Sequence, residues 1–151
     1  MSNVFATLLI AHVILGLISV ILLYALLLGL LKKEINIDTL KRLSLFNFLA
    51  LVASWVSGGY YYVLYYGANV KPVIMKGAYT WAHAVIMEAK EHVFLMLPFA
   101  SLALLVVLYL CPEDIKNNEN VKHALVGLVA VLVIVSTLMA ISGVLISGGA
   151  R

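Results

Sequence analysis

Four long apolar stretches, separated by short polar connections, make up almost the whole chain. They run from Val4 to Leu31, Leu43 to Tyr66, Ala82 to Leu110 and Ala124 to Ile146. Each exceeds the roughly 20 residues that a helix needs to cross the apolar core of a bilayer. Because backbone groups in lipid must bond within their own segment, helices are the expected structure of such stretches. The pattern predicts helices over about residues 4–31, 43–66, 80–110 and 122–147.

Composition leads to the same class of protein. Of the 151 residues, 64% are hydrophobic and 11% are charged, with a mean hydropathy of +1.10, far from the usual make-up of soluble domains. The first stretch has no early charge and is too long for the apolar part of a cleaved signal peptide. We therefore expect it to stay in the protein as a transmembrane helix. The predicted fold is an all-α integral membrane protein, a single four-helix transmembrane bundle.

Basic residues are distributed unevenly between the two ends of this predicted bundle. Six lie in or beside the first and third loops, namely Lys32, Lys33, Lys41, Arg42, Lys116 and Lys122. Four lie towards the other end, namely Lys71, Lys76, Lys90 and Arg151. The positive-inside rule then puts the two odd-numbered loops in the cytoplasm and both termini on the outer side, as in the cytoplasmic membrane of a prokaryote. The net charge of +3 reflects these loops and does not suggest nucleic acid.

The most chemically dense stretch is WAHAVIMEAKEH, residues 81–92, at the start of the third predicted helix. With about 100° between successive residues, three of its side chains share one face: Glu88, Glu91 and His92. Three others lie on the opposite side: His83, Met87 and Lys90. We expect a site where the acidic and imidazole face enters the membrane.

His12 lies at the same predicted height as this site. It is the only residue of the first helix that can carry charge before Lys32. Counting about 20 residues outward from the cytoplasmic ends of the first and third helices reaches His12 and His92 respectively. A histidine inside a membrane is costly and normally faces the bundle interior. This coincidence predicts a metal or haem site near the outer surface.

The preferred interpretation is a b-type haem whose axial ligands are His12 and His92. Neutral imidazoles on facing helices commonly hold haem iron, and an apolar bundle would surround the macrocycle. The layout resembles that of small membrane b-type cytochromes in architecture. The propionates would then face Lys71, Lys76 or Lys90. The expected function is electron transfer from a membrane quinol to a redox protein outside.

Two other interpretations remain open. In one, a non-haem iron, copper or zinc ion is bound by His12, Glu88, Glu91 and His92, with His83 or a tyrosine assisting. In the other, the polar stretch is a solvated cap on a cofactor-free anchor that assembles with other membrane subunits. No nucleotide loop, zinc-protease motif or nucleophile elbow supports an ordinary hydrolase or dehydrogenase.

Small residues and tyrosines form the remaining patterns. The second helix has a stripe of Ala50, Ser54, Ser57 and Tyr61, and the fourth has Ser136, Ala140, Gly143 and Ser147. Small residues at helical spacing let helices approach closely, so both stripes predict packing faces. The tyrosines between Gly58 and Gly67, including Tyr61 and Tyr62, fit an aromatic belt at the outer interface. One or two of them could also contact a buried ligand.

Overall fold

The computed structural model describes residues 2–150, which form helices and no strand. In chain order the helices are α1 (Asn3–Leu30), α2 (Ile37–Lys76), α3 (Ala82–Leu110), the short α4 (Pro112–Asn117) and α5 (Glu119–Gly149). The four long helices have the length and composition to cross a membrane. The prediction of an all-helical chain with four such segments is confirmed.

Polar caps make α2 and α5 begin earlier than their apolar stretches. The side chain of Asn36 accepts a hydrogen bond from the backbone N–H of Thr39 at 3.0 Å and caps α2. Asn118 caps α5 in the same way through the N–H groups of Asn120 and Val121. Such caps satisfy N–H groups that the first turn leaves unpaired. The predicted starts at residues 43 and 122 lie a few residues after the observed ones. The first turns of these helices consist of polar residues, so the apolar pattern does not include them.

The second helix also continues past its predicted end. Residues Tyr62–Val70 form a π-helix and Lys71–Lys76 add a last α-helical segment, so that residues 77–81 alone connect α2 to α3. The start of α3, Ala82–Met87, is π-helical as well. The wider turn of a π-helix changes which residues share a face, and such turns are frequent at functional sites. Both π-helical segments lie at the same end of the bundle.

The long helices pack in an up-down-up-down arrangement. α1 contacts α2 and α5, and α3 contacts the same two helices, so α1 and α3 lie diagonally opposite each other. We call the end that contains Ser2, residues 77–81 and Ala150 the terminal end, and the other the loop end. At the terminal end, the rings of Phe5 and Tyr65 lie 4.9 Å apart.

The apolar core is divided into two clusters. The larger one fills the loop half and includes the fully buried Leu26, Leu104 and Leu108. The smaller cluster lies at the terminal end and consists of Tyr66, Ile74, Ala82 and Ile146, with partly buried neighbours. Residues of both clusters line the cavity described below, so the space lies between the two packed regions.

Hydrogen bonds among three buried side chains join α1, α2 and α3. Ser19 Oγ donates to Asn47 Oδ1 at 2.7 Å, and Asn47 Nδ2 donates to Ser101 Oγ at 2.8 Å. All three side chains are completely buried. Polar groups in apolar surroundings must find such partners, and interhelical bonds of this kind hold helices together in membranes. The Ser19–Asn47–Ser101 network therefore fixes how the three helices are rotated about their axes.

Candidate functional site

A cavity of about 620 Å³ lies among the long helices, in the half of the bundle nearer the terminal end. This volume falls within the roughly 300–1,000 Å³ of small-molecule and cofactor sites. Most of the wall is apolar, with Leu9, Val13, Leu51 and Leu97 among its residues. Ser19, a member of the buried polar network, also contributes to the wall. The cavity is therefore large enough for an organic cofactor.

His12 lines this cavity and is held by α2. Its Nδ1 lies 2.9 Å from the carbonyl oxygen of Ser54 and 3.1 Å from Ser54 Oγ, which donates to the backbone oxygen of His12 at 3.0 Å. Because a carbonyl oxygen only accepts hydrogen bonds, Nδ1 is assigned the proton and Nε2 the lone pair. The ring of Phe94 meets the imidazole edge to face, with centroids 5.5 Å apart. The His12 ring is thus oriented with Nε2 as its free basic atom.

Gly58 makes room for this imidazole. A Cβ atom at position 58 would overlap the His12 ring, whereas one at Gly59 would meet nothing within 4 Å. The two adjacent glycines therefore differ in whether a side chain would fit at their position. Gly58 is required for the observed position of His12, and Gly59 is not.

Four residues of α3 line the cavity, namely Met87, Lys90, Phe94 and Leu97. Lys90 reaches towards α5, since its Nζ lies 3.1 Å from the Cβ position that an alanine at residue 143 would have. Met87 and Lys90 belong to the face of α3 that the sequence analysis places opposite Glu88, Glu91 and His92. The structure therefore brings Met87 and Lys90 into the same cavity as His12.

His92 lies outside the cavity wall. It is about 200° around the helix from Lys90, its side chain is exposed, and its Nδ1 lies 2.7 Å from the carbonyl oxygen of Glu88. Along the helix axis it is near His12, because Phe94, which touches His12, is only two residues further on. His12 and His92 are thus similar in height but do not face the same space.

Three tyrosines line the cavity towards the terminal end, namely Tyr61, Tyr62 and Tyr66. The Tyr66 hydroxyl lies 3.1 Å from His83 Nδ1, and each of these two side chains is only 3% exposed. His83 is not in the cavity wall, and its Nε2 is buried with no hydrogen-bond partner among residues 2–150. Tyr66 therefore separates the cavity from a buried histidine.

The carboxylates of α3 lie outside the cavity wall. Glu88 is exposed, and Glu91 is half-buried beside Tyr62 and Tyr66, with Oε1 lacking a partner among the described side chains. In the described part of the chain, no three His, Cys, Asp or Glu side chains form a group that could hold a metal ion. The other two lysines considered for this site, Lys71 and Lys76, are exposed near the end of α2 and do not line the cavity.

The small-residue stripe of α5 forms one wall of the cavity. Ser136, Ala140, Gly143 and Ser147 all line it. Ser136 Oγ is buried and has no hydrogen-bond partner among residues 2–150. In the stripe of α2, Ala50, Ser54 and Ser57 are all buried, Ser54 also holds His12, and Tyr61 lines the cavity. Small residues on α5 thus leave space that larger side chains would fill.

Sequence reasoning missed three residues of this site: Ser54 as the partner of His12, Gly58 as the space beside it, and Tyr66 as the partner of His83. Ser54 and Gly58 each have a local signal, since Ser54 belongs to the small-residue stripe of α2 and Gly58 lies four residues further along the same face,. Taken together, the cavity offers one imidazole with a free Nε2 and one ammonium group in apolar surroundings. Such donors fit a bulky apolar cofactor that carries a metal or an acidic group. No family model, curated protein or solved structure matches this chain.

Proposed function

We propose that this protein is a multi-pass membrane protein, with both termini on the outer side, that binds haem b in the cavity and transfers electrons. The observation that carries the proposal is the hydrogen bond from His12 Nδ1 to the Ser54 carbonyl oxygen. Histidines that bind metals usually donate their other ring N–H to such an acceptor, which fixes the tautomer and the ring orientation. In this arrangement Nε2 of His12 would bind the iron.

The cavity supports a large apolar cofactor over a bare metal ion. Its volume of about 620 Å³ and its mostly apolar wall suit a macrocycle that is withdrawn from water,. The small side chains of Ser136 and Ala140 on the α5 wall leave space for a flat molecule beside that helix. Apolar surroundings and the second axial ligand are the means by which the chain adjusts the reduction potential of the iron.

Two residues of α3, His92 and Met87, are candidates that would supply a second ligand to the iron. His92, the partner predicted from the sequence, also has Nδ1 near a carbonyl oxygen, which leaves its Nε2 free. It would need α3 to turn by about half a revolution to face the cavity. Met87 already lines the cavity and offers a thioether sulfur, a haem ligand that raises the reduction potential.

With haem bound, the iron would carry electrons one at a time from a membrane quinol, which gives up two electrons and two protons on oxidation to the quinone, to a redox protein outside the membrane. The cavity lies in the half of the bundle that contains the termini, which the basic loops assign to the outer side. The chain contributes the ligand, the low dielectric and the orientation, while the iron carries the electron. Exposed large apolar side chains along all four long helices, such as Ile21, Phe46, Phe99 and Ile134, fit contact with lipid.

An absorption spectrum of the detergent-purified protein, oxidised and then reduced with dithionite, tests this proposal. We expect a Soret band and visible bands that sharpen on reduction. His12→Ala should remove them, whereas His123→Ala, an exposed histidine at the loop end, should leave them unchanged. Failure of the wild-type protein to bind haem, even when haem is added, would contradict the proposal.

Metal analysis of the same sample separates the other two interpretations. Stoichiometric iron, copper or zinc without haem would favour a non-haem site that includes His12. A protein with neither haem nor metal that purifies with other membrane subunits would favour an anchor.

A further inference from the structure

Among residues 2–150, Lys90 is the only Lys, Arg, Asp or Glu side chain in the cavity wall. Its Nζ lies close to Gly143 of α5, so the ammonium group extends across the wall from one helix to the next. The two ion pairs of the described chain, Lys116–Glu113 and His123–Glu119, both lie at the loop end. Within residues 2–150, Lys90 forms neither an ion pair nor a hydrogen bond with another side chain.

A cation in apolar surroundings requires a partner. Removing an ammonium group from water is costly, and such groups are normally paired when they lie inside a bundle. The nearest acids in sequence do not supply the partner: Glu91 is about 100° and Glu88 about 200° around α3 from Lys90. Among the described residues, the polar side chains that α2 and α5 bring to the cavity are serine and tyrosine hydroxyls, and none is a carboxylate. A ligand can provide the missing negative charge.

We propose that Lys90 selects ligands that carry a carboxylate, and that it pairs with a propionate of haem in the cavity. The inference rests on the proposed haem function and specifies which chemical group of the ligand the chain recognises. His12 projects from α1 and Lys90 from the diagonally opposite α3. A ligand is therefore recognised at two points, its metal by the imidazole and its acid group by the ammonium, with the apolar body between them.

The other two lysines near the terminal end, Lys71 and Lys76, lie in a different environment from Lys90. Lys71 and Lys76 are exposed on the last part of α2 and do not line the cavity. At a membrane surface, exposed lysines meet anionic lipid headgroups. Lys90 faces the interior, so its partner is a group that belongs to the cavity ligand.

Binding of haem and of haem dimethyl ester, in which both propionates are uncharged, tests this inference. The wild-type protein should bind haem at least about tenfold more tightly than the ester, because a hydrogen bond to a charged group is lost with esterification. Lys90→Met keeps the length and apolar stem of the side chain and should bind both porphyrins equally. Lys71→Met, which changes the same charge at an exposed position, should keep the wild-type preference.

A second variant keeps the positive charge of Lys90 but displaces the ammonium group. Gly143→Ala places a methyl group 3.1 Å from the position of Lys90 Nζ, so the ammonium has to move by a few tenths of an ångström and the preference for haem should fall less than in Lys90→Met. Equal binding of both porphyrins by the wild-type protein, or an unchanged preference in Lys90→Met, would overturn the inference while leaving haem binding intact. Native mass spectrometry that finds an anionic phospholipid on the haem-free wild type, but not on Lys90→Met, would overturn it by assigning the ammonium to a lipid. If neither porphyrin binds, the proposed function itself fails.

Discussion

The imidazole of His12 and the backbone carbonyl of Ser54 are joined by a hydrogen bond of 2.9 Å between α1 and α2. The acceptor is a main-chain atom, so the orientation of His12 depends on the path of α2 as well as on the side chain at position 54. Ser54 strengthens the link by donating to the backbone oxygen of His12. The ring is therefore positioned by the packing of two helices, and changes that move α2 should be felt at His12.

Gly58→Ala should disturb His12 and the bound cofactor. The added methyl group overlaps the imidazole, and the ring has to leave its bond with Ser54 to avoid it. Overpacking of this kind typically costs roughly 1–3 kcal/mol. We expect lower haem occupancy and an altered Soret band. Gly59→Ala adds the same methyl group in open space and should behave like the wild type; equal effects of the two variants would contradict the role of Gly58.

His92→Ala and Met87→Leu identify the second axial ligand. If α3 keeps its rotation when haem binds, Met87→Leu should change the reduced spectrum and lower the reduction potential, because the thioether is lost. His92→Ala should then have no effect on either quantity. The reverse result would show that α3 turns by about half a revolution in the haem-bound protein and that the pair of histidines predicted from the sequence holds the iron.

Tyr66→Phe should destabilise the terminal end of the bundle. It removes the only hydrogen-bond partner of the His83 imidazole among residues 2–150, leaving both ring nitrogens of a buried histidine unpaired. An unsatisfied buried polar group costs roughly 1–3 kcal/mol. Tyr65→Phe is the matched control, because the Tyr65 hydroxyl makes no hydrogen bond to the described residues. Unfolding free energies in mixed detergent micelles should show a clear loss for Tyr66→Phe alone, and similar losses would argue against a structural role for the Tyr66–His83 bond.

Asn47→Ala should loosen the contact among α1, α2 and α3. The variant leaves the buried hydroxyls of Ser19 and Ser101 without their amide partner. Side-chain hydrogen bonds between membrane helices are worth about 0.6 kcal/mol on average, so the loss of two should cost roughly 1–2 kcal/mol. Ser44→Ala, which removes a hydroxyl bonded to the Lys41 carbonyl of its own helix, should cost less. An unfolding free energy unchanged by Asn47→Ala would show that apolar packing alone holds these helices.

The sequence determined the number of long helices and the approximate ends of α1, α3 and α5, and it predicts similar heights for His12 and His92. These features follow from quantities local to the chain, namely the apolar length of each segment and the fixed rise of a helix per residue. Local chemistry also explains why α2 and α5 begin before their predicted starts. Asn36 and Asn118 cap these helices from within polar loops. A search for polar residues within the spans would have singled out Asn47 as well.

Only the tertiary structure decided which face of each helix looks inward. The sequence divides α3 into a face with His92 and a face with Lys90 but does not say which one meets the interior. That choice depends on contacts between residues far apart in the chain, such as Ser19 with Asn47, 28 positions away, and Asn47 with Ser101, 54 positions away. The same packing joins His12 to Ser54 across 42 positions and makes a cavity wall of the small residues on α5. The rotation of a helix about its axis depends on the helices that pack against it. The sequence pattern of one segment does not specify those neighbours.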